Sequence, residues 1–379
     1  EDVTNVDSVG VVTARGLNII GNTTGLNAGV STFTADITVN GVTIGKGANS
    51  VATNTALGVN ALTSATTGVR NTAIGSGSLD ASTTGDNNIA IGDQALGANT
   101  TGSNNVAVGR NAMIVNTTTD NNTAVGRSAL QQNAAGNNTA VGRDALAANT
   151  TGTRNVAVGG LALDANTTAN DNVAMGYAAG GAITTGAENV TVGNYANDAN
   201  VTGNYNTAMG HGALGANTAS NNTAVGRKAL LTNSTGTQNV AVGGEALEAN
   251  TTGNYNVALG KNALLNNTTA DNNTSVGTYS LDANTTGANN TALGFAALGA
   301  NTTASSNTAI GAYALVANTT GTQNVAIGFQ ALDAVTTTDN NTAIGYNALT
   351  SHTGTQCVAV GSEALDANTA HNNNAFGYQ

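Results

Sequence analysis

Five aromatic side chains, Tyr279, Phe295, Tyr313, Phe329 and Tyr346, each stand one or two residues after a glycine that recurs about every 17 residues. Aromatic faces on a polar surface can stack against sugar rings, which makes this row the candidate receptor or glycan contact. Packing at a turn or between chains is the competing reading. Arg110, Arg127 and Arg143 directly follow such glycines in three consecutive cases and would form a basic stripe. Pairing with acidic groups, Asp144 or those of a neighbouring chain, accounts for the stripe, as would contact with an anionic glycan.

The remaining chemistry-bearing residues do not converge. His211, His352 and His371 sit at three different offsets from the preceding glycine, so they would not stack into a metal site and read as solvated turn residues. An acidic position five residues after the glycine holds Asp80, Asp164, Asp198, Glu248, Asp282, Asp333 and Asp366, never in adjacent units. That spacing reads as avoidance of like charges, and the Gly-Gly-x-Gly-x-Asp pattern of calcium-binding repeats is missing. Gly41 to Lys46 has its glycines four apart, with Gly47 where a phosphate loop needs Ser or Thr, and reads as a turn. Gly75-Ser76-Gly77-Ser78 lacks a His or acid partner, and no paired carboxylates suit glycoside hydrolysis. Cys357 reads as an inert small side chain. No catalytic, metal or cofactor residue is assigned, and the chain reads as non-enzymatic.

The element that positions the aromatic row is a tandem repeat. Asn71-Thr72-Ala73-Ile74-Gly75 returns as Asn88-Ile89-Ala90-Ile91-Gly92 and continues to Asn341-Thr342-Ala343-Ile344-Gly345, for twenty units between Asn54 and Gly377. Glycine spacing is 17, shortened to 16 four times within the stretch that otherwise reads Asn-Thr-Thr-Gly, as in Asn133-Ala134-Ala135-Gly136. Tolerated length change marks that stretch as an exposed turn. Before each glycine, β-branched and apolar residues alternate with Ala, Ser or Thr, a short-strand pattern. A Leu column four residues after the glycine predicts a second strand. Two short strands and two turns per 17 residues make one coil of a parallel β-solenoid, an all-β rod of about twenty coils and roughly 90 Å at about 4.8 Å per rung. The Asn opening each strand is expected to form an amide ladder.

Three large apolar side chains per coil look few against the entropy of ordering 17 residues. The Ala or Ser columns are therefore expected to offer a flat surface to another chain, most simply in a homotrimer. Gly180 and Asn197 replace the Leu in units 8 and 9, which predicts a core defect that Ile183 refills. Residues 1–50 depart from the repeat, with β-rich Val11–Ala14, Val30–Ala35 and Ile37–Ile44, and read as a β cap or connector ahead of a shaft at 51–379. No comparable cap follows Gly377, so a distal piece is expected to be missing.

Composition narrows the function classes. The chain has 379 residues, 10 Lys+Arg against 21 Asp+Glu, 49 Gly, no Pro and one Cys. A net charge of -11 argues against nucleic acid or anionic membrane as partner. No window reaches the roughly 18 apolar residues of a membrane span, and a single Cys removes any intrachain disulfide framework. The sequons at Asn284, Asn301 and Asn318 fall in successive coils, where glycans about 5 Å apart would collide, which favours a bacterial or phage origin.

The unit Asn-(Thr/Val)-Ala-(Val/Ile)-Gly-x-x-Ala-Leu-x-x-Asn-Thr-Thr-Gly over residues 54–377 resembles the head repeats of trimeric autotransporter adhesins of the YadA type. It resembles more closely the longer coils of phage tail-fibre proteins. The resemblance implies a trimeric β-solenoid shaft of a tail fibre on the virion surface, used in host attachment. A bacterial surface adhesin or extracellular filament subunit is the alternative. The partners implied are the chain itself, other virion or cell-surface proteins and a host-surface glycan, with no cofactor.

Overall fold

The computed structural model describes residues 36–367 and 369–378; the β-rich segments expected at Val11–Ala14 and Val30–Ala35 lie outside them. The described chain is all-β, a parallel β-solenoid. Twenty strands, from β3 (Thr55–Gly58) to β22 (Asn374–Phe376), pair in parallel with the next strand in sequence, bounding nineteen turns. Register follows the repeat, so Thr72, Ala73 and Ile74 pair with Ile89, Ala90 and Ile91. In the shortened coils, Thr123–Val125 still pairs residue for residue with Thr139–Val141.

The first rung is met by a hairpin. Strands β1 (Ile37–Val39) and β2 (Val42–Gly45) are joined by Asn40-Gly41, both at positive φ as a tight two-residue turn requires. Strand β2 then pairs antiparallel with β3, Ile44 opposite Leu57. The Asp36 carboxylate closes the hairpin mouth, accepting from the Lys46 and Gly47 N–H groups at 2.6 and 2.7 Å. Of Gly41 to Lys46, read from its spacing as a turn, only Gly41 belongs to the turn, while Val42–Gly45 is strand β2.

Each 17-residue coil contains one strand, not two. The Leu column lies in a turn, where Leu62, Leu79, Leu96, Met113 and their equivalents have φ between 48° and 57°. Their chemistry suggested a strand because burial and backbone are decoupled here: these side chains are fully buried as far as Leu349, and Leu365 partly so, while the backbone is left-handed. Rung-to-rung hydrogen bonds continue through this turn, as from Leu62 N–H to the Ser78 carbonyl at 3.0 Å, so its polar backbone groups remain satisfied without a second strand.

The faces of the strand are also the reverse of the expectation. Ala73, Ala90, Ala107 and the rest of that column as far as Ala359 point inward and are buried, as are the Ala or Ser residues beside the Leu column. The larger flanking residues point outward, with Ile89 39%, Ile91 38% and Met175 46% exposed. The interior of one coil therefore holds one Leu, small side chains and two Asn, which leaves no inward place for the strand's β-branched residues. The Ala columns cannot be a surface for another chain.

Two Asn columns finish the interior. In the column opening each strand, the side chain clamps the next rung's backbone: Asn54 Oδ1 accepts from Asn71 N–H at 2.9 Å and Asn54 Nδ2 donates to the Gly68 carbonyl at 2.9 Å. The same N–H to Oδ1 link repeats without a break up to Cys357 N–H on Asn341. Amide-to-amide bonds join this column at Asn138–Asn155, Asn172–Asn189 and Asn239–Asn256. A longer amide ladder lies in the Asn-Thr-Thr-Gly stretch, where Asn250 Nδ2 donates to Asn233 Oδ1 at 2.8 Å and Asn267 Nδ2 to Asn250 Oδ1 at 2.9 Å. These asparagines are fully buried, and only the threonines of the loop reach solvent. Asn284, Asn301 and Asn318 belong to this ladder, so folding itself closes those sequons to modification. Where a coil is one residue short, the ladder Asn bonds the carbonyl two residues on (Asn133 to Ala135) instead of three on (Asn250 to Gly253).

The defect in the Leu column is present. Ile183 is fully buried, and a Cβ added to Gly180 would lie 2.9 Å from its Cδ1, so Ile183 fills the space left by the missing Leu. Asn197 is fully buried with both amide atoms unpartnered, and Thr191 Oγ1 of the same rung is also unpartnered. The apolar core separates here into a cluster ending at Ile183 and another beginning at Ala196.

Candidate functional site

The strand–glycine–turn sequence sets the aromatic row. Each repeat glycine has φ near +135°, and its neighbour's backbone is so close that a Cβ on Gly294 would lie 2.6 Å from the Gly311 carbonyl group. Rungs locked at this approach present the next one or two residues on the outside of the coil in register. Tyr279, Phe295, Tyr313, Phe329 and Tyr346 consequently touch in succession, with centroids 6.1, 5.3, 6.1 and 5.8 Å apart. The first three pairs are edge-to-face and the last is stacked at 9°. All five remain 38 to 50% exposed. Gln330 and Asp333 lie in the same coils, joined by a 3.3 Å hydrogen bond.

A second, shorter row was not singled out from the sequence. Tyr177, Tyr195 and His211 stand at 5.6 and 6.2 Å, both pairs edge-to-face. The signal was there, because each also occupies the first or second place after its glycine.

The sheet face is the other extended surface. Two columns run along it, one of Thr, Val or Ile ending at Asn374 and one wholly apolar from Leu57 to Phe376, and no strand of the twenty contains a charged residue. At about 3.3 Å per residue and 4.8 Å per rung the face covers roughly 900 Å². Sequence reasoning missed it by assigning these side chains to the interior.

The charged and special residues resolve into local partners. Arg127 and Arg143 both bond Asp144, at 3.1 and 2.8 Å, and Arg110 lies 3.7 Å from Asp93. The basic stripe is thus paired within the chain. Arg154 and Asp171 form a two-pronged pair across rungs, whose hydrogen bonds hold the carboxyl of Asp171 below its usual value. Burial pushes the carboxyls of Asp164, Asp198, Asp282 and Asp333 up. The charge of Asp198, two rungs away across Gly181, raises Asp164 further, so skipping one rung reduces like-charge repulsion without abolishing it.

His352 corrects the reading of all three histidines as solvated: it is 2% exposed and its Nε2 lies 3.2 Å from Asn341 Oδ1. It occupies the inner ladder position, where the coil places a side chain inward whatever its type. Cys357 stands in for a clamp Asn, its Sγ 3.3 Å from the Ala370 carbonyl and 3.4 Å from Asn373 N–H. Among the described residues no three His, Cys, Asp or Glu side chains are grouped to hold a metal, and no helix is long and apolar enough to cross a membrane.

The fold defines the chain as a β-solenoid repeat protein. No family model and no curated protein sequence matches it.

Proposed function

We propose that the chain is a non-enzymatic structural protein, the shaft of a phage tail fibre on the virion surface that serves host attachment and associates as a homotrimer. The observation that carries this reading is the charge-free sheet face, with one wholly apolar column and one mixing Thr with Val or Ile, running the length of an uninterrupted strand stack. An uncharged, largely apolar exposed surface of that extent marks an interaction site. Its roughly 900 Å² is comparable to the ~800 Å² per partner of a stable protein interface. Depletion of charge, on a chain of net charge -11, is the composition expected at an interface centre. Mechanically, the strand ladder and the Asn clamp tie each rung to the next, the inner amide ladder adds to them over part of the stack, as from Asn217 to Asn318, and rung number sets reach.

Coil length supports a virion fibre over a cell-surface adhesin, since the adhesin heads that the repeat resembles have shorter coils. Sedimentation or light scattering with negative-stain imaging tests the proposal. Three chains of 37.0 kDa in a rod of about 90 Å are expected. Monomers would overturn the trimer, and open-ended polymers would favour a filament subunit.

A further inference from the structure

We infer that the row Tyr279, Phe295, Tyr313, Phe329 and Tyr346 binds an extended neutral polysaccharide lying parallel to the solenoid axis. The inference deepens the attachment reading and rests on it for its biological purpose, although binding itself is measured independently of chain association.

Shape comes first. Five rings in successive rungs form a strip about 19 Å long at about 4.8 Å per rung, with neighbouring centroids 5.3 to 6.1 Å apart. A linear ligand that repeats on the same scale meets one ring per unit, which suits an extended chain of pyranose rings. Each of the five residues remains 38 to 50% exposed despite its neighbours. Ring surface of that kind is what the C–H faces of a sugar pack against, while side chains such as Gln330 and Asp333 alongside can take hydroxyl hydrogen bonds.

Charge selects the class of glycan. All ten Lys and Arg residues lie at or before Lys261, so neither occurs from Gly277 to the end of the sequence. Of the two histidines in that stretch, His352 is buried and His371 lies beyond the coils that carry the five rings. Asp282, Asp333, Asp339, Glu363 and Asp366 supply only negative charge in that region. An acidic polysaccharide would be repelled and a neutral one would not.

Extent separates this surface from the sheet face. The uncharged columns run along all twenty strands, as an association surface does, whereas the unbroken row of five rings occupies five rungs and belongs to local recognition.

The test uses the full chain with cellohexaose and chitohexaose as neutral probes and hexagalacturonate as the acidic comparator, by calorimetry and tyrosine fluorescence. Saturable binding of at least one neutral hexasaccharide is expected, with the acidic one at least tenfold weaker. The double variant Phe295→Ser and Phe329→Ser should lose binding by about tenfold or more. It should fold normally, because Ser76 and Ser362 occupy the same place after Gly75 and Gly361. Tyr177→Asn, in the other row, should bind like the parent. Absence of saturable binding by either neutral probe, undiminished binding by the double variant, or equal binding of the acidic probe would each overturn the proposal. Loss of self-association in the double variant without any sugar binding would assign the row to a second copy of the chain and overturn it as well. The trimer proposal fails separately, on mass in solution.

Discussion

Asn197 and the half-buried aspartates show how far one side chain can depart from the repeat at a definite energetic cost. Asn197 adopts the left-handed backbone of the Leu column, φ 48°, as does Gly180 at 59° one coil earlier. Both residue types accept that conformation more readily than Leu does, so these coils exchange apolar burial for an easier backbone. For Asn197 the exchange leaves two buried amide atoms without partners. Asn197→Leu should therefore stabilise the chain by about 1–3 kcal/mol, read by urea denaturation, since it removes an unpaired buried amide and restores the column's usual occupant. Asp198 makes a pH-dependent counterpart. Its carboxyl is raised by burial, so the native state holds the proton more tightly than the unfolded chain. Asp198 thus costs stability above its folded pKa and stops doing so as pH falls below the ordinary value of 3.8. Asp198→Asn should raise the melting temperature at neutral pH, and thermal melts should show the gain shrinking towards zero below that value.

At the scale of one coil, two features hold the rungs at their spacing, and both can be tested in the middle of the stack. Gly226 has φ +138°, and a Cβ there would lie 2.4 Å from the Gly243 carbonyl oxygen. Gly226→Ala should separate two rungs locally and lower stability by more than the ~1 kcal/mol of an ordinary strained Gly→Ala change. Urea denaturation with intact far-ultraviolet dichroism below the transition is the readout. The inner ladder is interrupted by Ile183 and by Val335, and the Asn one rung before each, Asn166 and Asn318, is left with an unpartnered Oδ1. The chain thus carries natural versions of a ladder knockout. Asn250→Val should leave Asn233 Oδ1 unpartnered in the same way and cost about 1–3 kcal/mol, with the coil still formed, as hydrogen exchange of the neighbouring strands would report.

For the whole stack, contacts reach only from rung to rung, so stability is close to a sum of coil and interface terms. The break between the core cluster ending at Ile183 and the one starting at Ala196 is where that sum is expected to be weakest. Equilibrium unfolding is expected in two steps, and Asn197→Leu should merge them. Association belongs to the same scale. Val242→Lys with Leu259→Lys puts two charges on the exposed sheet face, where Val242 is 39% and Leu259 36% exposed. That pair should abolish self-association in sedimentation while leaving the melting of the single chain nearly unchanged. A folded double variant that still forms trimers would remove the sheet face as the contact.

What was legible in the amino-acid order was whatever repeats with it. The recurrence of Asn-x-Ala-x-Gly specifies the solenoid class, the parallel register of Thr72 with Ile89 and the touching order of Tyr279 through Tyr346, because stacking converts equal offsets into neighbours. The phase of the alternation was not legible. Thr-Ala-Ile has two faces, and the usual preference would bury Ile and expose Ala. Which face turns inward is decided by the cross-section, which one Leu, small side chains and two amides already fill. The same cause hid the burial of His352 and of the Asn-Thr-Thr-Gly asparagines, whose polarity suggests solvent while the closed coil supplies their hydrogen bonds from the rungs on either side.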